Sequence, residues 1–174
     1  MGLEQLYQQV ILDHQREKHG RGLREPTDAR DLSAQSRQHN PLCGDEVTLR
    51  VVLDPAGTTV RDLSWAGEGC AISQASTSVL HDLVTGGTLA QAREVVDAFR
   101  TMVRSRGTVV PDEELLGDAA AFAGVGRHTS RVTCAMLGWT AFEDAVATAT
   151  TPPTAPLTAP TDGSSAAHTN EEDR

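Results

Sequence analysis

Three cysteines and one aspartate are the residues of this chain best able to do chemistry. Cys43 lies in Asn40–Asp45, read NPLCGD, and Cys70 lies in Gly67–Ser73, read GEGCAIS. Cys134 closes the stretch RVTC, which begins at Arg131. Three thiolates and the Asp45 carboxylate suit one tetrahedral metal, since Zn²⁺ accepts sulfur and oxygen donors in that geometry. The cysteines are separated by 26 and then 63 residues, which is no generic metal-finger spacing. No C-x-x-C is present, and an odd number of cysteines excludes a complete disulfide framework. Plainer readings therefore stand beside the metal site. A free cysteine packs as a small hydrophobe, a hairpin could set Cys43 and Cys70 for a disulfide, and Asp45 could cap a turn. His39 and His128, near Cys43 and Cys134 in sequence, compete with Asp45 as ligands; the aspartate is preferred because it sits inside the motif. His14 and His81 fall on predicted helices and read as packed or capped.

The elements that must position these residues follow from periodicity. Leu3, Leu6, Tyr7, Val10 and Ile11 recur at helical spacing, so residues 3–16 are predicted as an amphipathic helix, followed by a polar loop. Val47, Leu49, Val51 and Leu53 alternate with Glu46, Thr48, Arg50 and Val52, as in a strand with one buried face. The turn DPAGT, residues 54–58, returns the chain into a second strand through Val60, Leu63 and Trp65, with imperfect alternation that permits a bulge. If Leu53 pairs near Thr59, the open end of the hairpin brings Cys43 and Asp45 opposite residues 67–70. Gly44, Gly67 and Gly69 remove side chains that would crowd such a site. Cys70 opens the next helix, and Cys134 falls near the start of the last; a helix N-terminus favours a thiolate.

The first of the later helices carries Ile72, Ala75, Val79, Leu80 and Leu83 and stops at Gly86-Gly87. Thr88 with Gln91 is a capping-box pattern for a helix with the seam Leu89, Ala92, Val96, Phe99 and Val103. A short helix is predicted after Pro111, and a last one carries Val132, Met136, Trp139, Phe142 and Val146. Strands first and helices afterwards make an α+β fold, a small antiparallel sheet packed against several helices. Residues 1–147 form the domain. Residues 148–174, rich in Thr, Ala and Pro, are expected to be a disordered tail with too little apolar surface to fold.

Composition narrows the function. The 174 residues suffice for a core without disulfide staples. The net charge of −9, with fourteen Arg and a single Lys, argues against a nucleic-acid partner. No apolar run has the length of a membrane span, and no signal peptide opens the chain, so a cytoplasmic protein with reduced thiols is expected.

NPLCGD, GEGCAIS and RVTC with the following LGWTAFEDAV, together with LYQQVILDH near the start, resemble the signatures of the U-type iron–sulfur assembly proteins. This family comprises IscU, SufU and the N-terminal part of NifU, and the likeness runs from about Leu3 to Ala147. It implies one site built from Cys43, Asp45, Cys70 and Cys134. Thr133 stands where the IscU branch has a His directly before the last cysteine, and the long segment between Cys70 and Cys134 resembles the SufU branch. That branch implies bound zinc and sulfur accepted from a PLP-dependent cysteine desulfurase of the SufS type, with downstream iron–sulfur assembly proteins as further partners. On that reading Cys43, on a loop, leaves the zinc and takes the sulfur; Arg131 matches an arginine of the SufU branch and either steadies the anionic site or pairs with an acidic side chain at the surface. A scaffold for a [2Fe–2S] cluster, and a zinc-stabilised adaptor that activates a desulfurase, are the competing implications. QREKHGRG after the first helix departs from the family's usual Asn-Pro-Arg-Asn-like turn.

Overall fold

The order of elements follows the apolar patterning closely up to one strand that the patterning does not announce. A computed structural model describes residues 2–151. Helix α1 (Leu3–Glu17) packs Tyr7, Val10 and Ile11 against the core and leaves Leu3, Leu6 and Leu12 exposed. Lys18 then turns left-handed at φ 51°, ending the helix. The polar stretch beyond it, expected as loop, contains strand β1 (Leu32–His39). Its sequence, LSAQSRQH, has no apolar alternation because β1 is an edge strand whose side chains are half-buried or exposed throughout. Charged and polar side chains are common on such edges, where they discourage pairing with other chains.

Strands β2 (Glu46–Leu53) and β3 (Val60–Glu68) form the predicted hairpin, and β2 occupies the centre of a three-stranded antiparallel sheet ordered β1-β2-β3. Leu53 pairs with Val60, one residue beyond the expected partner Thr59, and a register shift falls between Val52 and Leu53. That shift is the irregularity foreshadowed by the imperfect alternation of β3. The buried face of β2 is Val47, Leu49, Val51 and Leu53.

Helix α2 (Ala71–Val84) follows β3 after two residues, and α3 (Leu89–Arg104) starts at a reciprocal capping box between Thr88 and Gln91. A one-turn helix, α4 (Glu113–Leu116), continues as a 3-10 segment, Gly117–Arg127, and α5 (Thr129–Thr150) completes the described chain. The layers are therefore a sheet on one side and helices on the other, with α5 lying on β1 and β2 and α2 between α1 and α5. This is the α+β arrangement expected. Phe99 stacks on Trp139 at 3.9 Å between ring centroids, and Phe122 meets Phe99 edge-on at 5.8 Å. All three rings are fully buried, so the aromatic centre of the core ties α3, the 3-10 segment and α5 together.

Helix α5 begins beside the thiol-bearing loops and ends at the opposite tip of the hairpin, where Thr150 lies against Gly57. It runs three residues past the domain end expected at residue 147, so the first three residues of the expected tail, 148–150, are helical. Residues 152–174, the rest of the expected tail, lie outside the described residues. Among the described residues, no helix is long and apolar enough to cross a membrane.

Candidate metal centre

The NPLCGD loop is a closed structure set by Asn40. Its backbone N–H donates to the Asp45 carbonyl at 2.8 Å, its carbonyl accepts from Gly44 N–H at 2.8 Å, and its side-chain Oδ1 accepts from Leu42 N–H at 3.1 Å. Gly44 takes φ +77°, a left-handed conformation that glycine adopts without steric cost. The loop thereby holds Cys43 outward and Asp45 inward: Cys43 is exposed, whereas Asp45 is 4% exposed and Asn40 3%.

The hairpin brings the second motif to the first. Glu46 pairs with Glu68, so Asp45 falls next to Gly69, and Asp45 Oδ1 accepts from Cys70 N–H at 3.1 Å. The glycines have a measurable reason. A Cβ at Gly67 would stand 2.1 Å from the Glu46 carbonyl oxygen, and one at Gly69 would stand 2.4 Å from Ser73 Oγ and 2.9 Å from Asp45 Cγ. Both positions are thus reserved for residues without a side chain by the closeness of the hairpin and the Asp45 carboxylate.

The third motif arrives through the crossing of α2 and α5. Gly138 admits Thr77 so closely that a Cβ there would lie 2.4 Å from Thr77 Oγ1. Trp139 Nε1 donates to Ser76 Oγ at 2.8 Å, and Ser76 Oγ donates to the Ala135 carbonyl at 2.7 Å. These buried contacts lock the first turns of α5 to α2 and set Cys134 beneath the Cys43 loop. Cys43 Sγ and Cys134 Sγ are 3.4 Å apart, and Asn40 Nδ2 donates to Cys134 Sγ at 3.7 Å. All three cysteines are free, so the disulfide reading of Cys43 and Cys70 is not realised in this structure.

The structure brings Cys43, Asp45 and Cys134 together, with one donor atom of each within 4.8 Å of the others. The Cys70 thiol is outside that trio, exposed at the rim, while its backbone caps the start of α2 and holds Asp45. Arg131 is exposed, makes no ion pair among the described residues, and lines a cavity of about 410 Å³ with Tyr7, Ile72, Arg127 and His128. His39 and His128 are exposed and outside the donor trio. His14 is buried between Ser78 and Asp118, and His81 bonds the Leu63 carbonyl, so neither belongs to the thiol site. Asn40 and Ser73 were not anticipated as site residues. Asn40 had a local signal, an Asn-Pro step before the cysteine; Ser73 had none beyond its position one turn into a helix.

Electrostatics distinguish the four groups. Burial works against ionisation of Asp45, yet the Cys70, Ser73 and Cys134 side chains and the Cys70 N–H outweigh it and hold the carboxyl below its usual range. Its Oδ2 is enclosed without a hydrogen-bond partner. Burial pushes the Cys134 thiol strongly up, and neighbouring Cys43, Cys70 and Asp45 push it further. The expectation that a helix start would favour a Cys134 thiolate fails, because this residue is in the second turn of α5 and buried. Cys70, at the N-cap of α2, does occupy a helix N-terminus.

Residues 6–135 match the NifU-like N-terminal domain family. The chain is 35% identical over 144 residues to the iron–sulfur cluster assembly scaffold protein IscU of Streptococcus pyogenes serotype M1, covering 83% of this chain and 84% of that protein. It is 35% identical over 145 residues to the zinc-dependent sulfurtransferase SufU of Bacillus subtilis strain 168, covering 83% and 92%. A crystal structure of a putative scaffold protein for the SUF system from Fervidobacterium islandicum AW-1 superposes with a TM-score of 0.66 at 31% identity, over 83% of this chain and 99% of that one. With all three cysteine motifs on one end of the same α+β fold, this chain belongs to the NifU-like N-terminal domain family of U-type iron–sulfur cluster assembly proteins.

Proposed function

We propose that this protein is a zinc-dependent sulfur acceptor of iron–sulfur cluster assembly, taking sulfane sulfur on Cys43 from a SufS-type cysteine desulfurase. The observation that carries the reading is an exposed Cys43 thiol 3.4 Å from the buried Cys134 sulfur, beside an enclosed Asp45 oxygen with no hydrogen-bond partner. The donor set fits zinc. A buried carboxylate held ionised next to a thiol held protonated by burial and by the neighbouring Cys43, Cys70 and Asp45 is an environment that a divalent cation would relieve. Cys43, Asp45 and Cys134 would hold the ion, with Cys70 at the rim as fourth donor. Bound zinc keeps cysteine ligands as thiolates at neutral pH.

The four residues differ in how they are anchored and exposed. Cys134 is fixed by the α2–α5 crossing, Cys70 by its helix cap and Asp45 by the hairpin, whereas Cys43 is exposed on a loop beside Leu42, which is itself 85% exposed. Cys43 is therefore the thiol that meets a partner. Its sulfur attacks the outer sulfur of the desulfurase persulfide; the S–S bond breaks, and its electron pair leaves on the desulfurase cysteine as a thiolate. Cys43 then bears the persulfide, and no external oxidant or reductant is consumed. The B. subtilis relative's name, zinc-dependent sulfurtransferase, favours this reading.

Assembly of a [2Fe–2S] cluster on the same thiolates is the second reading, favoured by the scaffold names of the S. pyogenes and F. islandicum relatives. The discriminating experiment measures zinc in the protein as isolated, then intact mass after incubation with a SufS-type desulfurase and cysteine. Stoichiometric zinc and one sulfur atom added on Cys43, absent from Cys43→Ser, support the acceptor. Metal-free protein that gains stable visible absorption after anaerobic addition of iron and sulfide, and no persulfide, refutes it in favour of the scaffold.

A further inference from the structure

A second cluster of donors lies away from the thiols, where the end of α1 meets α2. One donor atom from each of His14, His19 and Asp82 lies within 4.8 Å of the others. The hydrogen bonds sort the four ring nitrogens into two kinds. His14 Nε2 is 3.1 Å from Asp118 Oδ2, and His19 Nε2 is 2.7 Å from Glu17 Oε2. The two Nδ1 atoms turn to inner partners: that of His14 is 2.9 Å from Ser78 Oγ, and that of His19 is 2.6 Å from Asp82 Oδ2. Each imidazole thus has a carboxylate behind it. Metal-ligating histidines have the same backing, because donating the outer N–H to a carboxylate fixes the tautomer and raises the basicity of the inner nitrogen.

We propose that His14, His19 and Asp82 form a second cation site, taking a borderline divalent ion of the zinc class through the two Nδ1 atoms and an Asp82 oxygen, with Asp118 and Glu17 orienting the rings. This inference stands independently of the thiol centre. Two imidazoles and a carboxylate are a donor set that suits zinc, with water in the fourth position. The charge balance favours a cation: Glu17, Asp82 and Asp118 surround the cluster, and among the described residues no Lys or Arg side chain pairs with any of them. His81, at 4.0 Å from Asp82 Oδ1, is the other titratable neighbour recorded.

The geometry needs a small adjustment that the residues can make. Donor atoms around tetrahedral zinc are about 3.3 Å apart, given metal–ligand distances near 2.05 Å. His19 and Asp82 must therefore separate slightly from 2.6 Å while the wider pairs close. The His19 and Asp82 side chains are 37% and 43% exposed, which leaves room for that shift, whereas His14 is 6% exposed. An ion there would join the last turn of α1 and the residue two beyond it to the helix that Cys70 opens.

The test uses the full chain and metal alone. Zn²⁺ uptake is measured by equilibrium dialysis on the parent and on Cys43→Ser, His19→Ala and Asp82→Ala. Co²⁺ loading is followed in parallel, since thiolate-to-metal charge transfer in the near ultraviolet marks the thiol centre and an N/O site lacks it. The expected result is an equivalent of metal without that charge transfer, retained in Cys43→Ser and weakened about 10–100-fold in both His19→Ala and Asp82→Ala. Melting curves of these two half-exposed variants without added metal control for folding. Absence of such an equivalent in the parent at about 100 µM free metal, a hundredfold above a micromolar Kd, overturns the proposal. So does its survival in both variants. Failure of the thiol-centre reading shows separately, as loss of the charge-transfer band.

Discussion

Gly69→Ala tests whether the glycine between the hairpin and α2 is there for the carboxylate. The added Cβ would lie 2.4 Å from Ser73 Oγ and 2.9 Å from Asp45 Cγ. Ordinary contact begins near 3.5 Å, so Asp45 must retreat by about 0.5 Å even if Ser73 swings clear. Asp45 cannot retreat freely, since its Oδ1 is tied to Cys70 N–H and its backbone to Asn40. Metal sites tolerate ligand displacements of about 0.2 Å, so the shift exceeds what a zinc shell absorbs. The expected outcome is about a 10–100-fold loss of zinc affinity, the size seen when supporting contacts of a metal site are lost. Overpacking at this half-buried position should cost about 1 kcal/mol of fold stability, a fall of about 2–4 °C in Tm for a domain of this size. Zinc competition against a chromophoric chelator reads the first quantity and thermal circular dichroism of the metal-free protein the second. Zinc binding within twofold of the parent, with the same small Tm change, would refute the reasoning that Gly69 makes room for a ligand.

Asp45→Cys should bind zinc more tightly, as a soft donor replaces a hard one, yet accept sulfur poorly; undiminished persulfide formation by mass spectrometry would exclude a role for the carboxylate in releasing Cys43. Gly138→Ala puts a Cβ 2.4 Å from Thr77 Oγ1 at the α2–α5 crossing and should cost about 1–3 kcal/mol in urea unfolding, more than Gly69→Ala. Phe99→Ala removes the ring stacked on Trp139 and should cost about 3–5 kcal/mol. His19 is raised above its ordinary pKa by the hydrogen bond to Asp82, against a smaller opposing effect of burial, with Glu17 adding to the rise. A raised pKa means stability fully present below the unfolded value near pH 6.5 and lost as pH rises through the folded value. His19→Gln should therefore lower stability in metal-free buffer between about pH 5 and 6.5 by less than about 1 kcal/mol, and the difference should fade at higher pH.

The hairpin was legible because a one-face strand has a period of two, and β2 obeys it from Glu46 to Val51, after which Val52 is buried as well. Strand pairing then carried the prediction that Cys43 and Asp45 would face residues 67–70; the Asp45–Cys70 bond realises it for Asp45, whereas the Cys70 thiol stays outside the trio of Cys43, Asp45 and Cys134. Strand β1 was illegible for the same physical reason in reverse: an edge strand needs no apolar face, and Leu32–His39 has none. Cys134 could be assigned to a helix by periodicity, but its approach to Cys43 depends on Gly138 meeting Thr77, a contact between residues 61 positions apart that no local pattern encodes. Arg131 was singled out by the resemblance and not by any local pattern, and it lines the cavity beside α1 without an ion pair among the described residues.

Helix α5 carries Cys134 near one end and reaches the Gly57 turn at the other. From Cys134 to Thr151 the helical rise amounts to roughly 25 Å. A tether attached at residue 151 would therefore immobilise the protein on a sensor surface with its Cys43 loop pointing away. Desulfurase binding could then be recorded in a single orientation, without the surface competing for the thiol.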